Sequence, residues 1–167
     1  EALMDGKFTR RILLGKVAQV YDPTGLLTPV TSRFKLHLHD LCIDEKLDWD
    51  DKVPEIYLEQ WVKNLDDIQQ LKTVRFQRTV IPVNAANLQV NIIVSSDASK
   101  SIAVATVHAR ILKTDGHYSC QLLTARSKLV KTSTIPKAEL RAAVMGASVG
   151  HVAKFNLGSQ YDGAIYC

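Results

Sequence analysis

Two carboxylates stand out in this 167-residue sequence, each at a place where a negative charge needs a reason. Asp97 lies in Val94-Ser95-Ser96-Asp97-Ala98-Ser99, at the end of an apolar, β-branched run. A carboxylate closing a buried strand is costly unless it is solvated or neutralised. A divalent cation is one neutraliser, because Mg²⁺ takes one or two carboxylates together with waters and substrate phosphates. The alternative is an Asp that caps a turn beside Ser99 and Lys100, and on spacing alone that alternative is favoured. Glu139 stands one turn into a helix announced by Thr134-Ile135-Pro136, where the helix dipole supports an acid whatever its function. Alone, it too reads as structural or solvated. The pair carries more, since Asp97 leaves a first strand and Glu139 starts a helix that would pack on the same sheet. Two carboxylates at one end of a sheet could hold a metal that activates water for phosphodiester attack.

Other polar groups compete poorly for a chemical role. Arg126, Lys128, Lys131 and Lys137 cluster near the proposed site and suit phosphate contacts, and a solvated basic loop explains them equally well. Ser127 has no G-x-S-x-G setting for a nucleophile. His37 and His39 fit no H-E-x-x-H site and read as surface residues on a helix, while His108, His117 and His151 have no partner spacing. Cys42, Cys120 and Cys167 form no C-x-x-C pair, which argues against a disulfide framework or a zinc knuckle and for a reducing, intracellular compartment.

The elements that must position the carboxylates can be read in order. Leu13, Leu14, Val17, Ala18 and Tyr21 recur with helical spacing until Asp22-Pro23-Thr24-Gly25 breaks the pattern. Phe34, Leu38, Leu41 and Cys42 form a second stripe after Pro29. Tyr57, Trp61, Leu65 and Ile68 form a third, with Pro54 near its start and acids ahead of it. Val74 to Phe76 and Thr79 to Pro82 look extended, and Asn84 to Asn87 looks like a loop. Three strands are expected over Leu88–Ser95, Ile102–Leu112 and Tyr118–Ala125, the last two joined by Thr114-Asp115-Gly116-His117. A basic loop, Arg126 to Ser133, then leads to a helix with Leu140, Ala143, Val144 and Ala147 on one face. Its many Ala and Gly residues suit close packing on a sheet. Asn156-Leu157-Gly158 ends it, and 163–167 reads as a fourth strand. The expected fold is α+β, a mixed α/β arrangement with a helical region over 1–72, an extended linker over 73–83 and a β-β-β-α-β domain over 84–167.

Composition sets wide limits. With 46% hydrophobic and 23% charged residues the chain is of ordinary globular type. The net charge of +4 permits a polyanionic partner without requiring one. No apolar run approaches the length of a membrane span, so no membrane partner is expected. The chain starts without Met and stops inside an apolar run, Ala164-Ile165-Tyr166-Cys167, so both ends read as cut from a longer protein.

Several motifs together resemble the polyproteins of BEL/Pao-type retrotransposons. Ser96-Asp97-Ala98-Ser99 is similar to the opening motif of retroelement ribonuclease H domains. Leu122 to Leu129 followed by Thr134-Ile135-Pro136-Lys137-Ala138-Glu139-Leu140 resembles the second motif. Ala18-Gln19-Val20-Tyr21-Asp22-Pro23-Thr24-Gly25-Leu26-Leu27-Thr28-Pro29 is similar to the A-x-x-(F/Y)-D-P-x-G-L-L-x-P signature between polymerase and nuclease regions, and Leu47-Asp48-Trp49-Asp50 and Trp61 fit the same pattern. The resemblance spans nearly the whole chain. It implies a helical connection region and an incomplete ribonuclease H-like domain, with Asp97 and Glu139 as ligands of Mg²⁺ or Mn²⁺. It further implies an RNA–DNA hybrid held in part by Arg126, Lys128, Lys131 and Lys137, and the remaining polyprotein as partner. Such nucleases add a third Asp after the fourth strand, for which Asp162 is a poor substitute, so the chain by itself is expected to bind the metal weakly and to be inactive. A decayed or domesticated remnant, serving as a structural or nucleic-acid-binding module, is the alternative. Proteins of this kind often carry a peptidase label, but aspartic peptidases need an Asp-Thr/Ser-Gly turn, and Pro23 interrupts Asp22-Pro23-Thr24-Gly25.

Overall fold

The computed structural model describes residues 8–43, 45–75, 90–130, 134–158 and 163–167. The chain divides into two compact units: Glu1–Pro23 with Leu27–Arg75, and Thr24–Leu26 with Phe76–Cys167. The expected extended segment and loop within 76–87, and the first two residues of the expected first strand, lie outside the described residues.

The first unit contains helices α1 (Arg10–Ala18), α2 (Thr28–Ile43) and α3 (Glu55–Gln70), the last followed by a single 3-10 turn at Leu71–Thr73. Each helix starts where local chemistry allows. The Thr9 hydroxyl accepts from Ile12 N–H at 3.4 Å, Pro29 sits in the first turn of α2, and Pro54 immediately precedes α3. The apolar stripes converge on Leu13, Phe34, Leu38, Leu41, Val53 and Trp61. Phe34 and Trp61 meet edge to face with centroids 4.8 Å apart, a favoured aromatic geometry. Four expected stripe members do not join this core. Leu14 and Ala18 are exposed on α1, Tyr21 lies beyond its end and is exposed, and Cys42 is exposed at the last turn of α2.

His37 is a larger departure, for it is buried with 8% exposure instead of lying on the surface. Its ring packs edge-on to Tyr57 and Trp61 at 5.4 and 5.7 Å, and its Nε2 has no hydrogen-bond partner among the described residues. Burial pushes its pKa below the ordinary value, against weaker opposing effects of Asp40 and a backbone hydrogen bond at Tyr57.

The second unit is built on a four-stranded sheet of order β3-β2-β1-β4. Its strands are β1 (Val90–Ala98), β2 (Ile102–Leu112), β3 (Tyr118–Leu129) and β4 (Gly163–Tyr166), with helix α4 (Ile135–Leu157) between the last two. The fold is therefore α+β with a mixed sheet, in the expected β-β-β-α-β order. The first three strands pair antiparallel, bringing Asp97 opposite Val104 and Val104 opposite Ser127. The β2–β3 turn places Gly116 at φ +82°, a backbone conformation that suits glycine. β4 pairs parallel to β1, and the pairing continues to Cys167, whose N–H donates to Val94 O at 2.7 Å while Ser96 N–H donates to Cys167 O at 3.1 Å. The Thr24–Leu26 stretch belongs with this unit, where Ala125 N–H donates to Thr24 O at 2.9 Å.

Alternation along the strands buries Val90, Ile92 and Val94 of β1 and the odd-numbered residues Ala103 to Ile111 of β2. Against that face α4 places Ala138, Ala142, Gly146, Val149, Gly150 and Ala153. Close packing through small residues was expected, but on a different face. Leu140, Ala143, Val144 and Ala147 are exposed, because a sheet approached this closely leaves room for Ala and Gly and none for Leu. Gly158, at φ +57°, ends the helix. Arg126 to Leu129 are likewise not a loop: β3 runs through them to Leu129, and α4 starts at Ile135.

Candidate functional site

Asp97 is the penultimate residue of β1, and Glu139 lies one turn into α4. Both are exposed, so neither carboxylate carries the desolvation penalty of a buried charge. Both line one groove of about 390 Å³, whose walls include Val94, Ser96, Ala143, Gly146, Ala147 and Cys167. By strand parity Asp97 belongs to the sheet face opposite Val94 and Ser96. Its position at the strand's end is what lets residues of both parities meet in a single depression. One oxygen, Asp97 Oδ1, accepts from Ala98 N–H at 2.8 Å, which anchors the side chain beside its own backbone.

The donor set of this groove is two carboxylates, with Cys167 at its wall. Among the described residues no group of three or more His, Cys, Asp or Glu converges to hold a metal. Two carboxylates are what Mg²⁺ ordinarily takes from a protein, the rest of its shell coming from water and phosphate. The residues present therefore suit a hard divalent cation and supply part of its coordination. A structural zinc site takes four protein ligands in a closed tetrahedron, which this set does not offer.

The basic residues are placed differently. Arg126 pairs with Ala105 and Lys128 with Ala103, on the outer strand β3 of the sheet. Both line a second groove of about 900 Å³ together with Leu140, Arg141, Val144 and Met145. This groove lies along one flank of α4, whereas the carboxylate groove lies along the flank of Glu139, Ala143 and Ala147. The expected cluster around the carboxylates is thus split by the helix. Lys137 is exposed in the first turn of α4 and lines neither groove, and Lys131 lies outside the described residues. Arg141, which the sequence reading passed over, shares the basic groove.

Two further residues line the carboxylate groove: Cys167, which in the sequence ends an apolar run, and Gly146, one of the small residues expected to suit close packing of the helix on a sheet. The four-residue spacing of Ala138, Ala142, Gly146 and Gly150 was the available signal for the close-packed side of α4. Asp22 does local work, accepting from Leu27 N–H at 2.9 Å across its turn. No helix of the described residues is long and apolar enough to cross a membrane.

Comparisons with known proteins agree with the motifs. No curated protein and no solved structure matches the chain. Residues 9–164 do match a family described as the Pao retrotransposon-like RNaseH-like domain, a span that takes in the helical unit as well as the sheet. The chain belongs to the Pao retrotransposon-like RNaseH-like domain family.

Proposed function

We propose that this domain serves a ribonuclease H-type endonuclease that hydrolyses the RNA strand of RNA–DNA hybrids, with Asp97 and Glu139 holding Mg²⁺ or Mn²⁺. The observation that carries this reading is their common groove at the end of β1. A bound Mg²⁺ would supply an acidified water and charge neutralisation at the scissile phosphate. The chain's own contribution is to fix the two carboxylates on rigid elements, a central strand and a packed helix, in place of loops. Arg126 and Lys128 would attract the hybrid's backbone through charge, at a distance from the chemistry set by α4. The remaining polyprotein is the proposed partner.

The test is RNA-strand cleavage of a labelled RNA–DNA hybrid by a polyprotein carrying this domain, with Mg²⁺ present. The double variant Asp97→Asn, Glu139→Gln is expected to abolish cleavage. Full activity in that variant would sink the proposal.

One observation favours a second reading. Only two carboxylates converge among the described residues, which suits a non-catalytic, nucleic-acid-binding remnant as well as part of a nuclease site. On that reading hybrid binding persists, weakens with added salt, and is indifferent to both carboxylate substitutions.

A further inference from the structure

Gly146 of α4 packs directly on β1. A Cβ added there would lie 3.3 Å from Ser96 Cβ and 3.4 Å from Val94 Cγ1. The second separation is near ordinary contact; the first is short of the ~3.5–4.0 Å at which carbons pack best. What yields decides the consequence. Ser96 Cβ is bonded to the backbone and cannot swing aside as a side-chain tip could. β1 is an inner strand, held by β2 on one side and β4 on the other, and Ser96 N–H is itself bonded to Cys167 O at 3.1 Å. The doubly paired strand is the better anchored of the two, so the helix gives way by a few tenths of an ångström. The same helix carries Glu139 about two turns towards its start, and the residue after Ser96 is Asp97. All four residues line one groove.

We propose that Gly146 is a positioning residue for the carboxylate pair. Its missing Cβ sets how deeply α4 rests on β1, and thereby how far Glu139 stands from Asp97. Any side chain at 146 spreads the pair and weakens its hold on a divalent cation. The inference rests on the reading of Asp97 and Glu139 as cation ligands. It differs from a role in stability, because Ala is the better helix former and by propensity alone strengthens α4. Affinity and stability therefore respond differently to Gly146→Ala.

The experiment titrates Mn²⁺ into the protein, reading free Mn²⁺ by electron paramagnetic resonance, and records thermal melting by circular dichroism. Asp97→Asn and Glu139→Gln are expected to abolish binding. Gly146→Ala is expected to weaken it about tenfold, the size seen when a residue that orients a metal ligand is lost, while the fold is retained. Adding Ser96→Gly removes the 3.3 Å contact. The Gly146→Ala, Ser96→Gly double variant should then recover parent-like affinity even though glycine in a strand lowers the melting temperature. Mn²⁺ binding absent from the parent, or indifferent to both carboxylates, overturns the cation reading and this inference with it. Carboxylate-dependent binding that is unchanged in Gly146→Ala overturns this inference alone, as does weakened binding that Ser96→Gly fails to restore. Should Gly146→Ala not fold, the double variant decides: parent-like affinity supports the spacing argument and weakened affinity overturns it.

Discussion

Asp97 on an inner strand and Glu139 on the helix covering that strand line the same groove, although neither is held by a hydrogen bond or ion pair to the other. Their proximity is a product of the scaffold. The β1–β4 pairing fixes one carboxylate and the small-residue face of α4 fixes the other. What the scaffold dictates can be tested element by element.

The helical unit depends on its aromatic centre. Phe34 is 2% exposed and packs edge-on against Trp61. Phe34→Ala should lower stability by about 3–5 kcal/mol, the cost of emptying a packed aromatic site. Tyr21→Ala, at 88% exposure, should change it by less than about 0.5 kcal/mol. Urea unfolding followed by tryptophan fluorescence compares the two directly. Equal midpoints would contradict the core as described.

His37 gives the same unit a pH dependence. Its folded pKa lies below the ordinary 6.5 because burial disfavours the charged ring. Below about pH 6.5 the unfolded chain takes up a proton that the folded chain resists. Its contribution is therefore fully present above the unfolded pKa and is lost as pH falls towards the folded one. Melting temperature measured from pH 7.5 to 5 should fall, and the fall should be smaller in His37→Phe. An identical profile in that variant would rule out His37 as the cause.

Two glycines should respond oppositely to alanine. Gly15 lies inside α1 with nothing within 4 Å of an added Cβ, so Gly15→Ala should stabilise by about 0.5–1 kcal/mol through helix propensity. Gly158 has equal space but sits at φ +57°, ψ −132°, where a side chain strains the backbone. Gly158→Ala should destabilise by about 1–3 kcal/mol. Thermal melts of the two variants, shifted in the same direction, would contradict this.

The basic groove should act through charge alone. Removing Arg126 or Lys128 should weaken hybrid binding across sequences and reduce the slope of log affinity against log salt by about one per residue, if each neutralises one phosphate. Fluorescence anisotropy over a salt series measures the slope. An unchanged slope in Arg126→Ala, Lys128→Ala would remove both residues from the interface.

The elements themselves were largely legible in the sequence, because alternation and helical spacing survive wherever one face is buried. The stripe Phe34, Leu38, Leu41 and the strand Ile102–Leu112 fell where they were expected. The failures have physical reasons. β3 was cut short at Ala125 because an edge strand tolerates Arg126 and Lys128, whose charges look like a loop when pairing is unseen. The buried face of α4 was misassigned because periodicity favours large apolar residues, whereas close approach to a sheet selects Ala138, Ala142 and Gly146. His37 was read as a surface residue by its type, although it follows Phe34 by one helical turn and so shares its buried side. The meeting of Asp97 with Glu139 was anticipated from topology, but the separation of the basic residues by α4 required the helix's rotation to be known.

The most direct test of the carboxylate pair is a double-mutant cycle on Mn²⁺ affinity, using Asp97→Asn, Glu139→Gln and the two combined. If both carboxylates hold one cation, either single variant loses nearly as much affinity as the double, and the effects are far from additive. Additive losses, or parent-like affinity in either single variant, would contradict the account.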